Sequence, residues 1–89
     1  MVEYKILYSK LAQKDAKKLS SENLAKKAKK LIQIIKQDPF QNPPPYEKLV
    51  GNLHGAYSRR INIKHRIVYE VRESDKVVRI SRMWSHYGD

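Results

Sequence analysis

All four prolines of the chain lie in one short segment, DPFQNPPPYEK (residues 38–48), and this clustering divides the fold into two halves. Proline lacks a backbone N–H and disfavours helix at the preceding residue, so Pro39 ends any helix that arrives from the N-terminal side. We expect Pro43, Pro44 and Pro45 to form a stiff, extended polyproline stretch. Neither half is long enough to fold alone, so the segment is interpreted as an ordered link within one domain covering residues 1–89.

The N-terminal half is predicted to be one strand followed by two helices. Residues 3–9 alternate between polar and apolar side chains, as a strand does. Ser9 can cap a short helix that follows directly. Ser20 or Ser21 can cap a longer helix that ends near Gln37. Apolar residues recur at the helical period in both helices, so each buries one face and leaves its lysines in solvent.

The C-terminal half is predicted to contain three strands, at residues 56–63, 65–71 and 76–87. The connections between them are short, which is typical of neighbouring antiparallel strands. The element order is therefore β-α-α-β-β-β, an α+β fold in which the two N-terminal helices pack on one face of an antiparallel sheet. The other face of that sheet is then available for a site.

Charge is the strongest global feature of the sequence. Nineteen Lys and Arg against nine Asp and Glu give a net charge of +10, which favours nucleic acid, an anionic membrane or an acidic protein as partner. The alternative is a well-solubilised surface. Residues 1–50 contain eleven Lys and no Arg, whereas residues 51–89 contain all six Arg. Lysine suits long-range attraction and arginine suits close contact with phosphate, so the two halves are interpreted as dividing these tasks.

Several classes of protein are disfavoured by what the sequence lacks. There is no Cys, which excludes a disulfide framework and is compatible with a reducing cytoplasm, where we expect the protein to act. There is no long apolar run, so no membrane-spanning helix and no membrane partner are expected. The N-terminus shows no basic leader before an apolar stretch and does not resemble a signal peptide.

The predicted sheet is rich in polar groups that can perform chemistry. They are Glu47, His54, Arg59, Arg60, His65, Arg66, Arg82, His86 and Tyr87. No zinc-type spacing, glycine-rich phosphate loop or nucleophilic-serine elbow accompanies them, so no metal and no cofactor is expected. A carboxylate, a histidine and arginines can cleave RNA without a metal, because a base activates the 2′-OH, arginine stabilises phosphoryl charge and an acid protonates the leaving oxygen. This composition permits such chemistry but does not select it.

Each of these residues also has a structural interpretation. Glu47 can pair with a lysine, Arg66 can be an exposed strand residue, and His86 can be a hydrogen-bonded edge histidine. Arg59 and Arg60 are adjacent in a predicted strand and so point to opposite faces. Without a bulge, only one of these two arginines can serve a site on a given face.

Motifs in the second half of the chain favour a functional interpretation of these residues over a structural one. In order they are D-P-F, E-x-L-x-x-N-L-x-G-x-x-S-R-R-I, H-R-I-V-Y and a terminal H-Y, spread from Pro39 to Tyr87. With these motifs, the chain closely resembles the YoeB/Txe toxins of the RelE-type superfamily of bacterial toxin–antitoxin systems. The resemblance implies a compact, microbial-ribonuclease-like (RelE-like) fold. It also implies a ribosome-dependent endoribonuclease that cuts mRNA in the ribosomal A site and so inhibits translation.

The resemblance also assigns roles to individual residues. Glu47 matches the motif glutamate, the expected general base. Arg60 and Arg66 match the arginines expected to hold the scissile phosphate. His86 is the expected general acid, and Tyr87 is expected to stack on or orient the substrate.

Further candidates and departures accompany this set. Lys48 and Arg59 are additional candidates for positioning RNA. Val50 stands where some family members carry a lysine, and valine cannot make a lysine's charged contact. Gly88 and Asp89 follow the H-Y pair, so a terminal carboxylate cannot act as it would in members that end there.

The tail is expected to leave the sheet before it reaches the site. Strict alternation would place His86 and Tyr87 on opposite faces. We therefore expect the regular strand to end near Ser85 and the last residues to turn into the cleft, with Trp84 or Met83 anchoring the turn in the core.

The resemblance further implies a set of partners. They are mRNA and the ribosome, with ribosomal RNA approached through the lysine-rich helices, and a cognate YefM/Axe-like antitoxin. Operator DNA would be bound only through the antitoxin complex, and the toxin itself is a monomer or a homodimer. Two other interpretations stay open: a non-catalytic basic module that binds RNA or DNA, and a toxin-fold protein whose main task is to form the repressing complex.

Overall fold

The computed structural model describes residues 3–49 and 55–83, and within them two helices pack on one face of a five-stranded sheet. The helices are α1 (Lys10–Ser21) and α2 (Ala25–Gln37). The strands are β1 (Lys5–Tyr8), β2 (Glu47–Lys48), β3 (Ala56–Arg60), β4 (Arg66–Arg72) and β5 (Val77–Arg82). Their order across the sheet is β1-β5-β4-β3-β2. The predicted α+β class with two helices on one sheet face is confirmed.

The first helix begins where the sequence predicts. The Ser9 hydroxyl accepts a hydrogen bond from the backbone N–H of Ala12 (3.0 Å), which satisfies one of the free donors at the helix start. The same hydroxyl donates to the carbonyl of Ser81 in β5 (2.8 Å). The Ser9 cap therefore also links the turn between β1 and α1 to β5.

The prediction that Ser20 or Ser21 caps the second helix is wrong. Both serines belong to the last turn of α1, and Asn23 ends that helix with φ 60°. The backbone N–H of Leu24 donates to the carbonyl of Leu19 (2.8 Å), as in a Schellman motif with asparagine in the left-handed position. The chain reverses at this motif, so α2 starts only at Ala25 and has no side-chain cap.

The sheet is mixed, which corrects the expectation of an antiparallel sheet. Strands β3, β4 and β5 are antiparallel neighbours as predicted, but β1 pairs with β5 in parallel, with Ile6 opposite Val78 and Tyr8 opposite Ile80. This pairing joins the two ends of the chain. The alternation of a strand does not indicate which distant strand it will pair with, so the sequence carried no signal for it.

The short strand β2 is an element that the prediction lacked. It comprises Glu47 and Lys48 and pairs with β3 at the edge of the sheet. The prolines just before it have no N–H to donate to a ladder, which explains why the strand is so short.

The core lies between the helices and the sheet face they cover. Apolar residues from every layer meet there, among them Ala12, Leu19, Ile35, Ile67 and Ile80, all nearly inaccessible to solvent. Tyr4, Tyr69 and Met83 also belong to this cluster. Among the residues described, neither helix has the length and apolar character needed to span a bilayer.

Candidate active site

The sheet face opposite the helices brings together three of the predicted site residues. Directly paired residues of antiparallel strands lie on the same face. Glu47 pairs with Ser58, and Arg60, two residues further along β3, pairs with Arg66. Glu47, Arg60 and Arg66 therefore lie on one face, although three different strands supply them.

Within this group, Glu47 and Arg66 form an ion pair. The Nη1 atom of Arg66 lies 3.6 Å from Oε2 of Glu47, with the arginine side chain 22% exposed and the glutamate 61% exposed. Ser58 lies on the strand between them, and its small side chain leaves room for Arg66 to reach across. The carboxylate thus has a cation on one side while most of its surface stays open to an incoming hydroxyl.

A pocket of about 160 Å³ adjoins this pair. It is lined by Pro44, Pro45, Tyr46, Glu47, Ser58 and Arg60. Pro44, Pro45 and Tyr46 contribute rings to this lining, and the Glu47 carboxylate and the Arg60 guanidinium supply charge of both signs. A ribonucleotide presents a flat base and a phosphate, and this lining offers a stacking surface for the first and a cation for the second.

Arg59 lies on the opposite face, where the structure contradicts the prediction that it contacts RNA. Arg59 is 1% exposed and lies beneath residues 39–44. Its guanidinium donates to the carbonyls of Pro44 (2.6 Å), Gln41 (2.8 Å) and Pro39 (3.0 Å). These carbonyls and the protein interior enclose the group, so a phosphate cannot reach it.

Tyr69 completes the surroundings of Arg59. Its hydroxyl donates to the Pro39 carbonyl (2.7 Å) and accepts from Nε of Arg59 (3.2 Å). Burial raises the pKa of Tyr69 to about 12, so this hydroxyl keeps the proton that it donates. The expected extended polyproline stretch is replaced by bends at residues 42–44, and the Pro44 carbonyl accepts a hydrogen bond from Arg59.

Three other polar candidates in the second half of the chain do not join this group. Lys48 pairs with Tyr57, which places it on the face opposite Glu47, so it does not join Glu47, Arg60 and Arg66. His65 is 3% exposed and belongs to the interior. Nε of Arg82 lies 2.8 Å from Oδ2 of Asp15 on α1, and so this arginine anchors a helix rather than facing the cleft.

The predicted acid His86 and its neighbour Tyr87 lie outside the described residues, as do Val50, His54 and Trp84. The last described residue, Met83, is 3% exposed and packs in the core, as expected for the anchor of the tail. Among the residues that the structure does describe, no three His, Asp or Glu side chains are grouped so that they could hold a metal ion.

Two structurally important residues escaped the sequence analysis. Ser58 sits between Glu47 and Arg66, and the S-R-R motif together with strand alternation would have placed it on their face. Asp15 is 2% exposed and accepts hydrogen bonds from Arg82 and from the backbone N–H of Met83 (3.0 Å). Asp15 stands three residues after Ala12 and four before Leu19, so helical periodicity places it on the buried face of α1, and that spacing is the signal that could have found it.

Comparison with known proteins gives one consistent result. A family model described as "YoeB-like toxin of bacterial type II toxin-antitoxin system" matches residues 8–87. The YoeB toxin of Mycobacterium bovis is 40% identical over 63 residues, which cover 71% of this chain and 72% of that protein.

Solved structures agree with this match. A YoeB/ParE toxin from Agrobacterium tumefaciens superposes with a TM-score of 0.85 at 28% identity, covering 93% of this chain and 99% of that one. The Staphylococcus aureus YoeB–YefM complex contains a chain with a TM-score of 0.79 at 33% identity, and a YoeB dimer from S. aureus gives 0.80 at 34%; each covers 94% of this chain and 98% of that one. With most of its length matched by the family model, the chain belongs to the YoeB family of type II toxin–antitoxin toxins.

Proposed function

We propose that this toxin is a metal-independent endoribonuclease that cleaves mRNA in the A site of the ribosome and thereby inhibits translation. The observation that carries the proposal is the placement of Glu47, Arg60 and Arg66 on one open sheet face, with the Glu47 carboxylate 3.6 Å from Arg66. Binding of phosphate alone requires cations but no exposed carboxylate beside them. A carboxylate next to two arginines fits a reaction in which a proton is removed while phosphoryl charge develops.

Each residue has a defined task in this reaction. Glu47 accepts the proton of a ribose 2′-OH, whose oxygen attacks the adjacent phosphorus. Arg60 and Arg66 neutralise the charge that builds up on the non-bridging phosphoryl oxygens. As the bond from phosphorus to the 5′ oxygen breaks, His86 protonates that oxygen, leaving a 2′,3′-cyclic phosphate and a free 5′-OH. Tyr87 stacks on or orients the substrate.

The proposed partners follow from charge and from family membership. A +10 domain is attracted to ribosomal RNA and to an acidic antitoxin alike. The S. aureus relative is seen in complex with YefM and as a dimer. By analogy, the present toxin binds a YefM-like antitoxin, and the free toxin forms a homodimer. The toxin–antitoxin complex represses its own operon by binding operator DNA through the antitoxin.

The test uses purified toxin and ribosomes programmed with a defined mRNA. Primer extension should map a cut within the A-site codon for the wild-type protein. Glu47→Gln should slow cleavage by about 10²–10⁴-fold because it removes the base, and Arg66→Ala by at least about 10²-fold because it removes a charge partner of the transition state. The same mRNA without ribosomes should stay intact.

The control is Arg79→Lys, a substitution of another sheet arginine that pairs with Glu70 rather than with the candidate site. It should cleave at the wild-type rate, and circular dichroism should show all variants folded. Salt-sensitive binding without any cut product would identify a non-catalytic RNA-binding module instead. Equal cutting of untranslated RNA would refute the dependence on the ribosome.

A further inference from the structure

The segment from Asp38 to Tyr46, here called the proline segment, has an unusual shortage of hydrogen-bond donors. Four of its nine residues are prolines, which have a carbonyl acceptor but no N–H. Buried carbonyls require partners, and a segment of this composition can supply few of them itself. Donors for the proline segment must therefore come from elsewhere in the fold.

Arg59 supplies these donors from the core side of β3. Its guanidinium reaches the carbonyls of Pro39, Gln41 and Pro44, at distances between 2.6 and 3.0 Å. These three bonds come from one planar group and link both ends of the bent segment. One buried side chain therefore holds the segment at three of its carbonyls.

Contacts with the Tyr46 ring connect Arg59 to the residue before Glu47. The guanidinium carbon of Arg59 lies 5.1 Å from the centre of the Tyr46 ring, within the range of a cation–π contact. The Tyr46 ring also packs against Phe40 and Tyr57, each with its centroid 5.9 Å away. Tyr46 immediately precedes Glu47 in the chain, so the contacts that hold the Tyr46 ring also restrict the backbone position of Glu47.

The strand that carries Glu47 is too short to position it alone. In β2 only Glu47 and Lys48 pair with β3, and this strand forms the edge of the sheet. We propose that Arg59 is a positioning residue for Glu47: it holds the proline segment and Tyr46 so that the carboxylate stays beside Arg66. This role rests on the proposed function, since it assigns to Arg59 the placement of the general base.

Lysine cannot replace arginine in this role. The three carbonyls and the Tyr69 hydroxyl surround a planar fork with five N–H donors, whereas a lysine offers three donors from a single nitrogen atom. Arg59→Lys keeps the positive charge but leaves some of the buried carbonyls unpaired. The expected result is a folded protein in which the proline segment and β2 are loosened.

The first test measures this loosening without reference to RNA. The backbone N–H of Leu49 donates to the carbonyl of Ala56 (2.9 Å) directly after β2 and can be followed by NMR hydrogen exchange. In Arg59→Lys this amide should exchange at least about tenfold faster, while amides in α1 and β5 keep their protection. Unchanged protection at Leu49 would overturn the proposal.

The second test asks whether the effect on cleavage passes through Glu47. In single-turnover assays on programmed ribosomes, Arg59→Lys should lower the rate at saturating toxin by about 10²-fold, with a half-saturating concentration close to the wild-type value. The double variant Glu47→Gln with Arg59→Lys should cleave no more slowly than Glu47→Gln alone. Multiplicative losses in the double variant would show that Arg59 does not act through Glu47.

Two further variants complete the test. Arg79→Lys, the matched control, should leave both the Leu49 exchange rate and the cleavage rate unchanged. If Arg59→Lys does not fold, Tyr69→Phe removes one partner each of Arg59 and Pro39 at nearly constant volume and should produce smaller changes in the same direction. If the wild-type protein cuts no RNA, the nuclease proposal fails, while Leu49 exchange still decides whether Arg59 holds β2 in place.

Discussion

Arg59 and Arg60 show how two identical neighbours acquire different tasks. They are adjacent in β3, so their side chains leave opposite faces of the sheet. Arg60 lies exposed on the face of Glu47, where phosphate can reach it, whereas Arg59 is enclosed by carbonyls on the other face. The S-R-R motif thus combines one arginine that is open to solvent beside Glu47 with one that is buried beneath the neighbouring segment.

At the scale of single residues, Tyr69 should make the protein sensitive to alkaline pH. Its pKa is raised from 10.0 to about 12 in the folded state. Below pH 10 the hydroxyl is protonated in both states; above pH 10 only the unfolded chain ionises, so folding loses stability as the pH rises. Between about pH 9 and pH 11 this linkage removes on the order of 1 kcal/mol from the free energy of unfolding.

The measurement compares urea unfolding of the wild type with that of Tyr69→Phe. At neutral pH the variant should be less stable by about 1–2 kcal/mol, since it lacks two buried hydrogen bonds. That difference should shrink as the pH rises, because phenylalanine has no proton to lose. A constant difference from neutral to alkaline pH would contradict the raised pKa of Tyr69.

At the scale of elements, α1 is tied to the last strand at its start and at its middle. Ser9 joins the start of the helix to Ser81, and Asp15 joins its middle to Arg82 and Met83. The carboxylate of Asp15 is almost completely buried and receives two donors on the same oxygen, Oδ2. These contacts secure the point from which the chain continues toward His86.

Asp15 should therefore contribute more stability than its ion pair alone. Asp15→Ala leaves the buried N–H of Met83 without its acceptor and should lower the free energy of unfolding by about 2–4 kcal/mol. Arg82→Ala leaves the buried carboxylate without its cation but still bonded to the Met83 N–H, so it should cost less, about 1–2 kcal/mol. Chemical denaturation of both variants measures the two effects, and equal losses would mean that the bond to Met83 contributes little.

The predictions of elements succeeded where local patterns decide the structure. Apolar periodicity gave both helices, a serine cap gave the start of α1, and short connections gave the antiparallel meander from β3 to β5. They failed where a turn or a distant partner decides. Asn23 ends α1 through backbone hydrogen bonds that also require its neighbours to be helical, and β2 exists only because β3 offers an edge.

At the scale of the whole molecule, basic charge is displayed away from the candidate active site as well as within it. On α2, Lys26, Lys27 and Lys30 surround an open depression together with Asn23. These lysines are exposed and carry no ion pair within the described part of the chain. Such a surface suits long-range attraction to ribosomal RNA rather than the chemical step.

Reversing these three charges should separate binding from chemistry. Lys26→Glu, Lys27→Glu and Lys30→Glu together lower the net charge from +10 to +4, since each replacement removes two positive charges. Association with programmed ribosomes should slow by at least about tenfold and become less dependent on salt, because fewer cations meet phosphates. The single-turnover cleavage rate at saturating toxin should stay at the wild-type level.

A second triple variant with the same net charge provides the control. Lys5→Glu, Lys10→Glu and Lys64→Glu alter exposed lysines that are scattered along the chain. If its association rate falls as far as that of the α2 variant, total charge and not the lysine face of α2 governs binding. Stopped-flow association measured at several salt concentrations distinguishes the two outcomes.

The sequence by itself determined the helices, the meander, the basic character and the motifs that identify the family. These depend on residues close together in the chain, where periodicity, capping and strand alternation act directly. Strand alternation is also sufficient to place Arg59 and Arg60 on opposite faces of β3.

Only the tertiary structure decided which groups meet. It paired β1 with β5 in parallel, brought Glu47 to Arg66, and closed the proline segment around Arg59. These arrangements depend on contacts between residues far apart in the chain, and their energies arise from burial and from donors meeting acceptors in space. A buried arginine and an exposed arginine are identical in sequence, because what distinguishes them is the set of carbonyls that the fold places around one of them.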